Sequence, residues 1–371
     1  MNLLMISSDF TVAQGKQNVF YHMLREFSKY WGEINILTPK GDGAKKTTIH
    51  GNVTIHPSNC SKLMQPFYIR KKGTELYRSN KFDLVSVHEY APFYHGLSAW
   101  LLWKKIKVPY IIEIHHIIGY PRAADTIEAV ARLSYNVYMR WAWRNALAIR
   151  TVNSKQVPEL LMRVGVPKEK IFYIPSFYLN FDIFKPLPIE KKKQIVFCGR
   201  LVKNKGIFLL LKAMKDVLIK HSNIKLVIIG SGPLKKKLIE FIKKQNLMEN
   251  VEFTDWVPDI KDVARIYNES LIFVMPSFNE GGPRVTLEAM ACEVPVISTK
   301  VGIMEELLID GKNGLFIDWD PKDIAEKITY LYENEDVRKK IAYEGRKSVQ
   351  HFEYAKMIRN YAKVYQSLIT R

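Results

Sequence analysis

Short apolar runs alternate with longer segments of helical periodicity along the 371 residues, and the scheme occurs twice. In the first half the apolar runs are Leu3–Ile6, Ile34–Thr38, Val53–His56, Leu84–His88, Tyr110–His115, Ala148–Val152 and Ile171–Ile174. They are rich in Val, Ile and Leu without strict polar alternation, the pattern of parallel strands covered on both faces. Between them the spacing predicts helices near 16–30, 92–106, 125–146 and 155–164. Within 125–146, Ile127, Val130, Val137, Tyr138 and Trp141 form a stripe, so part of this helix is expected in the core. The second half repeats the scheme with Ile195–Cys198, Leu226–Ile229, Val251–Phe253, Leu271–Met275, Val294–Ser298 and Gly314–Ile317. After the first of these, Ile207, Leu210, Leu211, Met214, Val217 and Leu218 share one helical face, and Asp320-Pro321 is an N-cap and N1 pair for a later helix.

Strand and helix alternating in this way imply an α/β fold of two doubly wound parallel-sheet domains. Length agrees, because single hydrophobic cores stop growing at roughly 250–300 residues. The boundary is expected in Lys185–Lys193, KPLPIEKKK, which is broken by prolines and charged. About 336–371 reads as helix without a strand partner. No solenoid-period repeat and no low-complexity segment interrupts the chain.

In open α/β sheets ligands bind beyond the carboxyl ends of the strands. The richest such end is Met275–Glu288, MPSFNEGGPRVTLE. A buried strand stops, a loop carries Glu280 and two glycines, and a helix starts near Pro283, whose free N–H groups and dipole form a seat for phosphate. Glu288, more than a turn further on, is able to point back toward that start. Two carboxylates flanking a phosphate seat suit the hydroxyls of a sugar and a ribose. The residues alone leave open an ordinary loop carboxylate at Glu280 and a surface residue at Glu288. A second strand end reads Gly199-Arg200-Leu201-Val202-Lys203-Asn204-Lys205-Gly206, where Arg200 offers paired hydrogen bonds to phosphate and Lys205 a point charge. It is no Walker A loop, and Gly230-Ser231-Gly232 fails the dinucleotide fingerprint because Lys235 stands where the third glycine belongs.

The stretch PSFNEGGPRVTLEAMACEVPVISTKVG resembles the E-x7-E signature of family 4 of the retaining glycosyltransferases, which have the GT-B fold. FCGRLVKNKG, IGSGP, VEFTDWVPD, GKNGLFI and a final FEYAKMIRNYAKVYQSL helix follow the family's order, and the match is most specific over 195–317. The resemblance implies two Rossmann-like domains facing across a cleft: 1–186 for the acceptor and 187–350 for the nucleotide sugar, with a helix at 351–371 crossing back onto the first domain. It implies Arg200 and Lys205 on the donor diphosphate, Glu280 on hydroxyls of the transferred hexose and Glu288 on the ribose. Backbone N–H groups of Gly282, Arg284 and Val285 would meet sugar or phosphate oxygens, and Val257 would sit against the base. His115 occupies the place of the family histidine that contacts the donor sugar after the fifth strand, with His116 as the rival. The sequence departs from the family in three places. The first-loop glycine pair reads Gln14-Gly15, leaving only Gly15 to admit phosphate. Pro283 has no N–H. The usual IPNGVD linker reads Ile174–Leu179, IPSFYL.

The reaction so implied transfers a hexose from a UDP- or GDP-sugar to a glycan or lipid-linked acceptor without a metal. Cations and a helix start take the place of a divalent ion, and no DxD-like acidic pair ends a strand to hold one. His88, Glu89 and His95 lack the spacing of a metal site. An isolated strand-end histidine is more often a satisfied structural residue, and the functional alternative places His88, with His116, on the acceptor side of the cleft.

Charge adds one further expectation. The formal net charge is +19, and residues 1–186 hold 25 Lys and Arg against 13 Asp and Glu. A basic surface favours anionic partners. Residues 62–72, KLMQPFYIRKK, mix aromatics with cations as interfacial membrane segments do, and Arg140–Arg144, RWAWR, is similar. Three scattered cysteines and an N-terminus, MNLLMISSDF, that reads as a strand rather than a signal peptide point to a cytoplasmic protein, and the basic residues leave open either peripheral attachment to the membrane through 62–72 or an ordinary lysine-rich solvated surface. Two other classes remain in view. A GT-B sugar-nucleotide epimerase would share the phosphate seats but need no acceptor. A nucleic-acid-binding protein would cluster its cations, whereas here they are dispersed and no such motif is present.

Overall fold

The computed structural model describes residues 1–255, 257 and 259–370. The chain forms two compact units, one of 1–117, 133–176 and 354–371, the other of 118–132 and 177–353. The crossing therefore lies between Ser176 and Phe177, not within Lys185–Lys193. Two other segments depart from the expected division. Residues 118–132 fold with the second unit, and the returning segment starts at Tyr354 rather than 351.

Among the described residues the N-terminal unit contains eight strands: β1 (Leu3–Ile6), β2 (Ile34–Thr38), β3 (Thr47–Ile49), β4 (Val53–Pro57), β5 (Leu84–His88), β6 (Tyr110–Ile114), β7 (Ala148–Thr151) and β8 (Ile171–Tyr173). They form one sheet in the order β3-β4-β2-β1-β5-β6-β7-β8. All pair in parallel except β3, an antiparallel edge strand on β4 that the apolar pattern does not reveal because Thr47 and Thr48 give no apolar run. The helices are α1 (Val19–Phe27), α2 (Gln65–Ser79), α3 (Tyr94–Ile106), α4 (Thr126–Ala142, which begins in 118–132) and α5 (Gln156–Arg163). The steps β4 to β5, β5 to β6 and β6 to β7 all run toward the same edge. Right-handed crossovers then put α2, α3 and α4 on one face of the sheet and α1 on the other. Helix α2 gives no strong signal in sequence, since its buried positions are Gln65, Pro66, Ile69 and Gly73.

Helix α4 turns the expected way round only in part. Tyr135, Met139 and Ala142 are buried and Tyr138 stacks on Phe93, but Ile127, Val130 and Val137 stand in solvent. The stripe read as core is thus largely an outer face. The helix is apolar on both sides, and periodicity alone does not say which side the sheet covers.

The C-terminal unit contains β9 (Gln194–Cys198), β10 (Lys225–Ile229), β11 (Val251–Asp255), β12 (Ile272–Met275), β13 (Val296–Ser298) and β14 (Leu315–Phe316), all parallel, in the order β11-β10-β9-β12-β13-β14. Its helices are α6 (Ile207–Lys220), α7 (Lys235–Lys244), α8 (Ile260–Glu269), α9 (Arg284–Ala291), α10 (Met304–Leu307), α11 (Pro321–Glu333) and α12 (Glu335–Val349). The α6 stripe buries Ile207, Leu210, Leu211, Met214 and Val217 as expected, and Asp320 caps α11 by accepting from Lys322 N. The last helix, α13 (Tyr354–Ile369), belongs to the N-terminal unit, where Phe27 of α1 stacks on Tyr361 with ring centroids 4.6 Å apart. Among the described residues no helix is long and apolar enough to cross a membrane.

Candidate active site

In the C-terminal unit the two strand-end loops singled out above come together. The backbone of the 199–206 loop is held against the end of β12 at Gly206. This residue has a left-handed φ of 66°, and a Cβ there would lie 2.0 Å from Pro276 O. Phe278 N donates to Asn204 O at 2.7 Å. This contact brings Lys205 to Glu280, and Lys205 Nζ donates to Glu280 Oε1. Ser277 Oγ donates to the same oxygen at 3.1 Å. Glu280 is therefore not a freely solvated loop carboxylate: its side chain is 13% exposed and that of Lys205 16%. Arg200 stands exposed at the other end of the loop.

Helix α9 begins at Arg284, and no side chain caps it. Its first turn leaves N–H groups available for an anion. Gly282 has a packing reason of its own, since a Cβ there would meet the Phe177 ring at 2.0 Å. Glu288 is buried rather than a surface residue, and Arg284 Nε lies 3.3 Å from its Oε1. Burial raises the Glu288 carboxyl above the ordinary range, and Arg284 offsets only part of that. Val257 is half-buried just beyond β11, while its neighbours Trp256 and Pro258 in the DWVPD loop lie outside the described residues. Cys198, at the end of β9, is no nucleophile, because burial pushes its thiol up to about 12.

Sequence reading missed what braces this site. Asn279 Nδ2 donates to Arg122 O and to Glu128 Oε2, both at 2.8 Å, and Arg122 N donates to Phe278 O at 3.3 Å. Lys203 Nζ is 2.7 Å from Asp125 Oδ2, and the Arg122 guanidinium lies 4.9 Å from the Trp319 ring. These partners come from 118–132, more than seventy residues away, so no local spacing announces them.

In the N-terminal unit the centre is Glu113, which interrupts the apolar run of β6 and is fully buried. Arg150 of β7 and Ser86 of β5 bond to its carboxylate, and Tyr361 OH of α13 donates to Oε1 at 2.8 Å. Arg150 also donates to Ile174 O and Pro175 O, both at 3.1 Å, and lies 4.0 Å from the Tyr361 ring centroid. Burial alone would raise Glu113. Arg150, His88 and hydrogen bonds from His115 and His88 outweigh it and keep the carboxyl well below the ordinary range. His115 Nε2 lies 3.4 Å from Glu113 Oε2 and His88 Nε2 3.5 Å from Oε1. The two rings meet edge to face at 5.1 Å, and His88 Nδ1 is 3.1 Å from Ser7 Oγ. The His115 ring is 39% exposed, yet its Nε2 is sealed from solvent, and burial lowers its pKa. One edge of the His115 ring is open. His116 is half-buried beside it.

Among the described residues His88, Glu113 and His115 are the group whose ligand atoms all lie within 4.8 Å of one another. A cation there would have to share Glu113 with Arg150, which disfavours it. His95 is a satisfied structural histidine, its Nδ1 3.0 Å from His88 O and its pKa pushed down to about 4 by burial. Gly15 ends a short turn after β1 with φ 82°, exposed and with nothing within 4 Å of a Cβ. Glu113 and Arg150 each carried a legible signal, a charge inside an apolar strand, but Tyr361, 248 residues from Glu113, did not.

Two family models cover the chain, "Glycosyltransferase Family 4" over residues 13–178 and "Glycosyl transferases group 1" over 180–348. An uncharacterized glycosyltransferase of Methanocaldococcus jannaschii is 31% identical over 308 residues, 80% of this chain and 79% of its own length. A capsular polysaccharide biosynthesis glycosyltransferase of Staphylococcus aureus is 36% identical over 161 residues, 42% of this chain and 41% of its own. Sucrose-phosphate synthase of Thermosynechococcus elongatus superposes with a TM-score of 0.83 at 20% identity, covering 100% of this chain and 99% of that one. HepE of Anabaena, in complex with UDP and glucose, gives 0.78 at 16% identity over 98% of this chain and 99% of its own. The fold shared with these structures is GT-B.

Proposed function

The chain belongs to the family 4 glycosyltransferases, and we propose that it is a retaining, metal-independent hexosyltransferase acting from a UDP- or GDP-sugar onto a glycan or lipid-linked acceptor. The observation that carries this reading is the bond between Lys205 and Glu280 beside the uncapped start of α9. It draws a cation, a hydroxyl-binding carboxylate and a helix dipole into one place.

Arg200, Lys205 and the first N–H groups of α9 take the diphosphate. They are aimed at the oxygen that gains charge as the anomeric C–O bond breaks, and such fixed dipoles and cations lower the barrier without reorganising. Glu280 accepts from hydroxyls of the hexose and Glu288 from those of the ribose. Val257 lies against the base, and His115 takes the role of the family histidine. The acceptor hydroxyl attacks the anomeric carbon on the face the diphosphate leaves. The new C–O bond forms as the old one breaks, and the hydroxyl proton passes to the departing phosphate oxygen.

A thermal-shift screen of UDP-, GDP- and ADP-sugars identifies the donor, because a ligand that binds only the folded state raises the melting temperature. That HepE binds UDP supports starting with UDP-sugars. Transfer with the donor so found, in EDTA, should give a product whose anomeric configuration by NMR matches the donor's. An inverted product, strict dependence on a divalent ion, or epimerisation of the donor without acceptor would overturn the reading.

A further inference from the structure

We propose that the outer faces of α2, α3 and α4 form an attachment surface for anionic lipid membrane, with α4 lying in the interface. The inference deepens the functional reading by giving a lipid-linked acceptor a physical meeting place, and its test does not depend on turnover.

The outward side of α4 is the observation that carries it. Ile127, Val130, Leu133 and Val137 are between 62% and 74% exposed and fall at helical spacing along one side. Tyr135, Met139 and Ala142, on the opposite side, are buried. Arg140 and Arg144 continue the exposed side past the last of these apolar residues. A soluble helix places charges on its outer side. One that presents branched aliphatics there and keeps cations at its end has the form of an interfacial helix. Four such residues in register exceed the singly scattered apolar groups of an ordinary surface.

The surface continues onto the neighbouring helices. Trp141 of α4 meets Trp100 of α3 edge to face at 5.2 Å. Lys104 lies 4.1 Å from the Trp100 ring centroid and Lys107 4.4 Å from that of Trp103. Tryptophan beside a cation is the residue chemistry of the headgroup layer. At the start of α2, Leu63, Met64 and Phe67 are each half or more exposed beside Lys62, Arg70 and Lys71.

Charge selects the occupant. Residues 62–79 contain one acid, Glu75, and α3 contains none. The sole acid within 126–144 is Glu128, whose carboxylate already accepts from Ala124 N and Asn279 Nδ2. Three consecutive helices on one face of the sheet thus present cations and apolar groups almost without negative charge, which fits a phospholipid headgroup layer over an acyl interior. Residues 62–72, singled out from sequence, form one edge of this surface rather than the whole of it.

The test is flotation of the full chain with phosphatidylcholine vesicles, with and without phosphatidylglycerol. Wild type should float with the anionic vesicles and stay at the bottom with the neutral ones. The Leu133→Glu/Val137→Glu variant should stay at the bottom with both while its donor-induced thermal shift equals that of wild type. A Val137→Trp variant should lose fluorescence to lipids brominated in the upper acyl chain, which attachment by surface lysines alone would not produce. Wild type remaining unbound to anionic vesicles at low salt overturns the proposal, as does undiminished flotation of the double variant. A concentration-dependent dimer that the double variant converts to monomer would assign this face to a second copy instead. Flotation with no donor shift would leave the lipid surface standing and remove the transferase reading.

Discussion

Lys205 and Glu280 are bonded to each other in the C-terminal unit, although each reads from sequence as a contact to a different part of the donor. Both are largely buried, so removing either leaves the other's charge uncompensated. Lys205→Met and Glu280→Gln should each lower stability by about 1–3 kcal/mol, and the double variant should recover most of that loss. Transfer should stay abolished in all three. Thermal melts and initial rates check this together, and a double variant no more stable than the singles would show that the pair is not coupled.

Arg200 offers the complementary case. It is exposed, so Arg200→Ala should leave the melting temperature within a degree or two while weakening the bare nucleoside diphosphate by about 1.5–3 kcal/mol. Calorimetric titration with UDP and GDP measures the loss. Unchanged affinity would remove Arg200 from the phosphate seat.

Glu288 gives a pH dependence. Its carboxyl is raised by burial, so lowering the pH protonates it before an ordinary glutamate and removes acceptor capacity for a ribose. Affinity for the nucleoside diphosphate should therefore begin to decline at a higher pH than protonation of a solvated glutamate would cause. In Glu288→Gln the affinity should be weaker overall, with that decline absent. Calorimetry across a pH series distinguishes the two profiles.

Glu89, at the end of β5, should affect stability rather than activity. Burial raises its carboxyl to about 7, and hydrogen bonds from Tyr138 OH and Tyr90 N offset this only in part. The folded state thus holds a proton that the unfolded chain, near 4.5, has already released. Its contribution is fully present below about pH 4.5 and is lost as the pH rises through about 7. The stability of Glu89→Gln relative to wild type should therefore shift in favour of the variant by up to about 3 kcal/mol between those pH values. Denaturant melts at pH 4.5 and 8 measure the shift, and a pH-independent difference would contradict it.

Metal removal completes the set. EDTA should leave transfer unchanged, and added Zn²⁺ should not raise the melting temperature, because Glu113 is already committed to Arg150. A Zn²⁺-dependent stabilisation that His88→Ala removes would instead assign an ion to the His88, Glu113 and His115 group.

The sequence by itself determined every strand but β3 and the parallel pairing of the others in two sheets, and it marked Glu280, Glu288, Arg200 and Lys205 as candidates at strand ends. Buried parallel strands are continuous apolar runs, and ligand loops follow their ends, so both are written in local order. Tertiary structure decided the rest. Glu280 acquired Lys205 because Gly206 lets one strand end close on another. Asn279 found Glu128 from a segment that precedes the C-terminal unit's first strand by some sixty residues, and Glu113 found Tyr361 at a separation of 248. Which side of α4 faces the sheet was also undecidable locally. Both sides are apolar, and only packing of Tyr135, Met139 and Ala142 left Ile127, Val130, Leu133 and Val137 outside. Periodicity records that a face is apolar. What covers that face depends on chain that lies elsewhere in the sequence.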